Sequence, residues 1–387
     1  MEKEHKKIDF KQYIAVFFFL SLGAFFGWLI GKYIGKLEIS FTGRIMSFFV
    51  MIILMYFAIF IQIVIHELGH LIFAFMTGYK FSSFRIMSLM LIKESGKIKL
   101  RHFSVAGTGG QVLMAPPDMK EEKFPVVLYN LGGSILNTLT GLLFLFSHFK
   151  VLHMPRLSLF LMFLASSGIV LALLNGIPMR MGMMDNDGYN ALTLTKNKES
   201  RRSFWLQLKI NELLANGVRL KDMPDEWFEI PSDEEMKNSM MAVIGVFACN
   251  RLMDNHKFDE ADKLMTHFMN IESSIVALHK GILVCDRIYC ELVNENRKNV
   301  VDDMLDARQK KLMKAMRKFP NVIRTEYAYA LLAEKDLKKA QEIRKKFDRY
   351  TRYYPYSVEI ETELELIEIA NRCKNLENID LKEDHGA

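Results

Sequence analysis

The stretch from Ile45 to Met76 is almost wholly apolar, yet it carries His66, Glu67 and His70. A run of that length reads as a membrane-crossing helix, because about 20 apolar residues span the hydrocarbon core. Ionisable side chains at that depth are costly, rare and usually functional. Their spacing is His-Glu-x-x-His. On a helix it sets both imidazoles one turn apart on one face, with Glu67 beside them. Two neutral imidazoles can hold a zinc ion, and a carboxylate can take a proton from water that the ion acidifies. The pattern points to metal-assisted hydrolysis within a membrane.

The apolar runs crowd into the first half of the 387 residues. They predict four spans, at about 13–34, 45–77, 126–148 and 157–177. The first is too long for a signal peptide, and no small-residue cleavage site follows it. It carries Gly23, Gly27, Gly31 and Gly35, a ridge suited to close helix packing in lipid. The tail at 1–12, the segment at 78–125 and the residues after the fourth span are all rich in Lys and Arg. Four spans put these on one side, which their charge makes cytoplasmic. The expectation is a multi-pass protein of a bacterial cell membrane with both termini in the cytoplasm. A net charge of +6 is accounted for by such flanks and argues against a nucleic-acid partner. Cys249, Cys285, Cys290 and Cys373 lack CxxC spacing and read as free thiols in a reducing compartment.

The fold expectation is mainly α. A membrane-embedded core at 13–190 holds the four spans and a short β-hairpin-like insert. A cytoplasmic helical domain follows at 191–375, and a disordered tail at 376–387. In the helical domain, amphipathic segments recur at Phe204–Leu214, Glu234–Met253, Phe258–Met269, Ser274–Leu292, Val300–Arg317, Arg324–Ala333, Leu337–Tyr350 and Ser357–Arg372. The segments that open at Lys257-Phe258-Asp259-Glu260-Ala261 and Asp336-Leu337-Lys338-Lys339-Ala340 are similar to the second helix of a tetratricopeptide hairpin, a pattern that suits a protein partner.

Two imidazoles need a third protein ligand. Glu94, Glu121 and Glu122 lie in the polar segment and would have to fold back. The end of the fourth span is better placed. There Asn175-Gly176-Ile177-Pro178 is followed by a Met-rich stretch and then Asp185-Asn186-Asp187-Gly188. Pro178 and the glycines end a helix, and the loop after them can set an aspartate beside the metal. Irregular backbone at that depth must be buried in protein or line a watery cavity. The methionines read as flexible packing at membrane level rather than as copper ligands.

Taken together, these motifs resemble the site-2 protease family of intramembrane zinc metalloproteases. His66-Glu67-Leu68-Gly69-His70 matches the first family motif. Asn175-Gly176-Ile177-Pro178 and Asp187-Gly188 are similar to its Asn-x-x-Pro and Asp-Gly. Gly133-Ser134-Ile135-Leu136-Asn137 resembles its Gly-Pro-x-x-Asn segment, with Ser134 in place of the proline. Gly109-Gly110-Gln111-Val112-Leu113-Met114 resembles a strand near the site that pairs with substrate. The resemblance covers about residues 45–190. It implies Zn2+ held by His66, His70 and Asp187, with Asp185 a competitor. It also implies Glu67 as the catalytic base, and a peptide bond of a membrane-anchored protein or peptide precursor as substrate. Asn137 and Asn175 become candidates for contact with substrate or the oxyanion, and Gly110 for edge pairing with an extended substrate. Two other readings fit the same residues: a non-catalytic membrane scaffold that keeps the fold, and a metal transporter.

Overall fold

A computed structural model describes residues 10–35, 40–104, 108–181 and 184–383; the side chains of 10–20, 22, 181, 184 and 376–383 lie outside the description. The chain divides into two compact units, residues 1–69 with 133–174, and residues 70–132 with 175–387.

Long apolar helices make up the first unit. Three helices among the described residues are long and apolar enough to cross a membrane: α2 (Phe41–Met76), α3 (Val127–Lys150) and α4 (Pro155–Gly176). All three start and stop within four residues of the expected spans. The first expected span is helical too, as α1 (Phe10–Ile34), but most side chains of its first half lie outside the described residues. Phe26, Ile30, Met51, Ala58, Leu159, Phe163 and Leu164 form the buried core. Ile53, Tyr56 and Phe57 on α2, and Leu139, Leu143 and Phe146 on α3, are exposed. Large apolar side chains left outside a packed core suit a lipid-facing surface. Three of the four glycines of the expected ridge have open space beside them among the described residues. A Cβ added at Gly23, Gly27 or Gly31 would meet nothing within 4 Å among the described residues.

In the second unit, the polar segment after α2 forms a sheet rather than a single hairpin. Strands β1 (Lys80–Ile86), β2 (Leu89–Glu94), β3 (Lys97–His102) and β4 (Gly110–Ala115) are antiparallel in the order β3-β2-β1-β4. Two tight turns explain the extra strands. Met87 turns β1 into β2 at φ 54°, and Ser95-Gly96 turns β2 into β3 at φ 46° and 81°, the left-handed pair that hairpin twist favours. On β2, Met90 and Ile92 alternate inward and pack with Leu206 and Ile210. A two-stranded ribbon, β5 (Arg180–Met181) and β6 (Met184–Asp185), leads into α5 (Asp187–Lys196).

The rest is helical: α6 (Lys198–Ala215), α7 (Ser239–Asp254), α8 (Phe258–Asn270), α9 (Ala277–Val293), α10 (Lys298–Met304), α11 (Ala307–Ala315), α12 (Pro320–Ala328), α13 (Leu337–Thr351) and α14 (Ser357–Glu383). Two expected helices divide. The segment from Val300 to Arg317 breaks where Asp306 caps α11 by accepting from the Gln309 N–H at 2.6 Å. The segment from Glu234 begins as a short 3-10 turn, and Asn238 then caps α7. The tetratricopeptide likeness does not extend to how the two similar helices begin. Asp336 caps α13 with its side chain, whereas Lys257 offers α8 none.

A buried ion cluster ties α9, α12 and α14 together. Arg324 is 1 % exposed. Its guanidinium donates to Asp286, and to Glu363 at 2.8 Å. It also stacks 4.5 Å above the Tyr289 ring. Burial pushes both carboxyls above their ordinary range, and Arg324 opposes the shift. Removing Arg324 would leave two carboxylates without their cation, a loss of about 3–5 kcal/mol. Arg324→Met is therefore expected to lower the melting temperature of the full chain by roughly 10 °C, read by circular dichroism in detergent. Adding Asp286→Asn and Glu363→Gln should restore part of the loss. Equal melting of Arg324→Met and wild type would refute this account.

Candidate metal centre

Helix α2 carries both imidazoles on one face, and two sets of hydrogen bonds fix their rings. His66 Nδ1 lies 2.7 Å from Asn137 Oδ1. The Asn137 amide nitrogen is committed elsewhere, donating to the Gln62 carbonyl at 2.9 Å and to Gln62 Oε1 at 2.7 Å. Gln62 in turn donates to the Leu164 carbonyl at 2.9 Å. Asn137 therefore presents only an acceptor, so His66 Nδ1 bears the proton and Nε2 is left as a ligand atom. His70 is set in the same way. Its Nδ1 lies 2.7 Å from the Tyr129 carbonyl, which can only accept. Such outer partners fix tautomer and ring orientation in metal sites.

Two glycines make room. A Cβ at Gly133 would sit 2.5 Å from the His66 ring, and one at Gly188 would sit 2.2 Å from the Gly176 carbonyl oxygen. No side chain fits at either position. Gly133 and Asn137 are four residues apart on α3, so one helix face supplies both the close approach and the hydrogen bond to His66. Ser134, between them on the same helix, is buried.

The loop after α4 separates the two aspartates. Asn186 closes it: Oδ1 accepts from the N–H groups of Met179 at 3.0 Å and Tyr189 at 2.9 Å, and Nδ2 donates to the Ile177 carbonyl at 2.6 Å. Asn186 is thus the N-cap of α5 and makes Asp187 its first residue. A carboxylate there is stabilised by the helix dipole. Asp187 Oδ2 lies 3.4 Å from His70 Nε2. Asp185 instead pairs with Arg180 at 3.2 Å and accepts from the Ser239 hydroxyl at 2.6 Å.

One ligand atom each from His66, His70 and Asp187 lies within 4.8 Å of the other two, a cluster that could hold a metal ion. The donor set of two nitrogens and one oxygen fits the three protein ligands of a catalytic zinc site. A spacing of 3.4 Å between His70 and Asp187 is wide for a hydrogen bond. Glu67, next to His66, is 8 % exposed.

The other expected residues fall as follows. Asn137 is fully buried, with its amide oxygen at His66 and its amide nitrogen at Gln62. Asn175 lies in the last turn of α4. Gly110 opens β4, opposite Ile86 of β1, and β4 has no second strand neighbour among the described residues. The sequence reading missed Gln62, Tyr129 and Asn186. Gln62 carried a signal, as a lone amide one helical turn before His66 in an apolar run. Tyr129 carried none, because its backbone carbonyl does the work.

Residues 41–184 match the family model described as Peptidase M50B-like. The match supports the site-2 protease family for the region that holds the His pair, and it ends three residues before Asp187. That family is one of zinc metalloproteases acting on peptide or protein substrates in a membrane. With the three apolar helices, it supports a membrane protein. No curated protein and no solved structure matches the chain.

If Asn137 aims His66, Asn137→Ala should weaken zinc binding about 10–100-fold in competition with a chromophoric chelator, with helix content unchanged. Unaltered affinity would rule the role out.

Proposed function

We propose that this chain is an intramembrane zinc endopeptidase that hydrolyses a peptide bond of a membrane-anchored protein or peptide precursor. The observation that carries the reading is the convergence of His66, His70 and Asp187 ligand atoms within 4.8 Å, with Glu67 adjoining His66 in an apolar helix. The family match over residues 41–184 supports it. The charge distribution along the chain supports cytoplasmic termini and a helical domain on that side.

Bound zinc would polarise the scissile carbonyl and lower the pKa of attacking water. The remaining work belongs to the chain. His66, His70 and Asp187 hold the ion, and Asn137 and the Tyr129 carbonyl keep both imidazoles facing it. Glu67 takes the proton from the attacking water and returns it to the departing amine. The substrate must be extended, because a helix hides its carbonyls, and β4 at Gly110, with no second strand neighbour among the described residues, suits an added strand. Asn175 is the remaining candidate for contact with substrate.

Glu67→Gln should abolish cleavage of a membrane reporter in proteoliposomes while zinc content stays at wild-type level. Cleavage by Glu67→Gln at the wild-type rate would favour a scaffold role. Zinc content separates the aspartates: Asp187→Ala should lose the ion and Asp185→Ala should keep it. The reverse result would move the third ligand to Asp185.

A further inference from the structure

Tyr129, whose carbonyl holds His70, and Asn190, one turn beyond Asp187 on α5, also line a cavity of about 640 Å³ in the second unit. That volume lies within the ~300–1,000 Å³ of ligand sites. Its walls come from β4 and from helices α5, α6, α7, α9, α12 and α14.

Three features of the lining converge on one ligand chemistry. First, six carboxamides line the cavity, Gln111, Asn190, Gln207, Asn211, Asn250 and Asn321; Gln207, Asn211 and Asn321 each have one amide atom already bonded to the chain's own backbone. A carboxamide carries the same donor and acceptor as a peptide group, so a wall of them complements an extended backbone. Asn190 Oδ1 is buried with no hydrogen-bond partner among the described residues. Second, Phe204, Phe247 and Tyr354 supply apolar wall for side chains. Third, the charges do not balance. Four carboxylates, Asp254, Asp286, Glu359 and Glu363, face two guanidiniums, Arg219 and Arg324. Arg219 takes Asp254, and Arg324 takes Asp286 and Glu363. Glu359 accepts from the Tyr354 hydroxyl at 2.7 Å and has no cation among the described residues. Burial pushes its carboxyl up to about 7. His279, also in the lining, supplies no charge, since burial lowers its pKa.

We infer that this cavity binds an extended peptide segment that sets a Lys or Arg side chain against Glu359. The ammonium or guanidinium supplies the missing counter-charge, and the carboxamides take the backbone. Whether the segment belongs to the substrate's soluble part rests on the protease reading; a free peptide would present the same chemistry.

The test uses the full chain carrying Glu67→Gln, in detergent, with empty micelles as the blank. The probe is a fluorescein-labelled, end-capped peptide Leu-Ala-Lys-Ala-Leu, and its control has Glu in place of Lys. Anisotropy should show saturable binding of the Lys peptide and none of the Glu peptide. Adding Glu359→Gln should weaken binding about tenfold, and Asn250→Ala should weaken it severalfold with the helix content of the parent. Equal binding of both peptides, or no effect of Glu359→Gln, overturns the inference. A single-span reporter bearing the same segments on its soluble tail separates the sources. If the substrate's own tail is the occupant, the free Lys peptide displaces the Lys reporter. If a free peptide is the occupant, the reporter stays bound and its cleavage by wild type changes. Lys-peptide binding without cleavage of any reporter by wild type removes the protease reading alone. Cleavage without peptide binding removes this inference alone.

Discussion

An imidazole in an apolar helix has two nitrogens to satisfy, and that constraint organises everything around His66 and His70. Only one nitrogen of each can face a metal. The other must have a partner inside the protein, because lipid offers none. For His66 the partner is Asn137, itself held by Gln62. For His70 it is the Tyr129 carbonyl. Each partner is an acceptor, so each ring carries its proton at Nδ1 and offers Nε2. The orientation of the two ligand atoms is thus a consequence of hydrogen bonding that is complete before any ion binds, which lowers the ordering cost of binding one.

Close approach is the second requirement, and glycine meets it at two points. Gly133 lets α3 touch the His66 ring. Gly188 lets the start of α5 touch the Gly176 carbonyl oxygen. The choice between the two aspartates is made by their other partners. Asp185 is occupied by Arg180 and Ser239, whereas Asp187 is directed at His70.

Much of this was legible in the residues. Apolar length located α2, α3 and α4 to within a few positions, because the cost of exposed backbone in lipid leaves little freedom. The spacing of the His pair and the glycine after Asp187 singled out the three residues that the structure brings into one cluster able to hold a metal ion. Other features were not. Asn137 stood out as a polar residue in a span, but nothing in one sequence says whether such an amide faces a substrate or a neighbouring imidazole. The carbonyl of Tyr129 is invisible because every residue has one. The four-stranded sheet was read as a hairpin although Lys97–His102 alternates charged and apolar side chains with period two, because Ile98 and Leu100 stay exposed and form no apolar face of a core. In the helical domain the segments were found from their 3.6-residue periodicity, but Asp306 and Asn238, which break two of them, act as caps, and a cap is strong only where the chain already turns.

Tyr129 links the candidate site to the rest of its unit. Its carbonyl holds His70, its hydroxyl donates to the Val112 carbonyl of β4 at 2.8 Å, and its ring stacks on Tyr79 at 4.9 Å. Tyr79 donates in turn to the Pro125 carbonyl. A shift of β4 would pull on the hydroxyl of Tyr129, and the same residue's carbonyl aims an imidazole. Packed interiors transmit such shifts rather than absorb them, since few voids lie between the side chains. Coupling of this kind needs no long pathway. One residue, hydrogen-bonded at both its main chain and its side chain, ties β4 to the ring of His70.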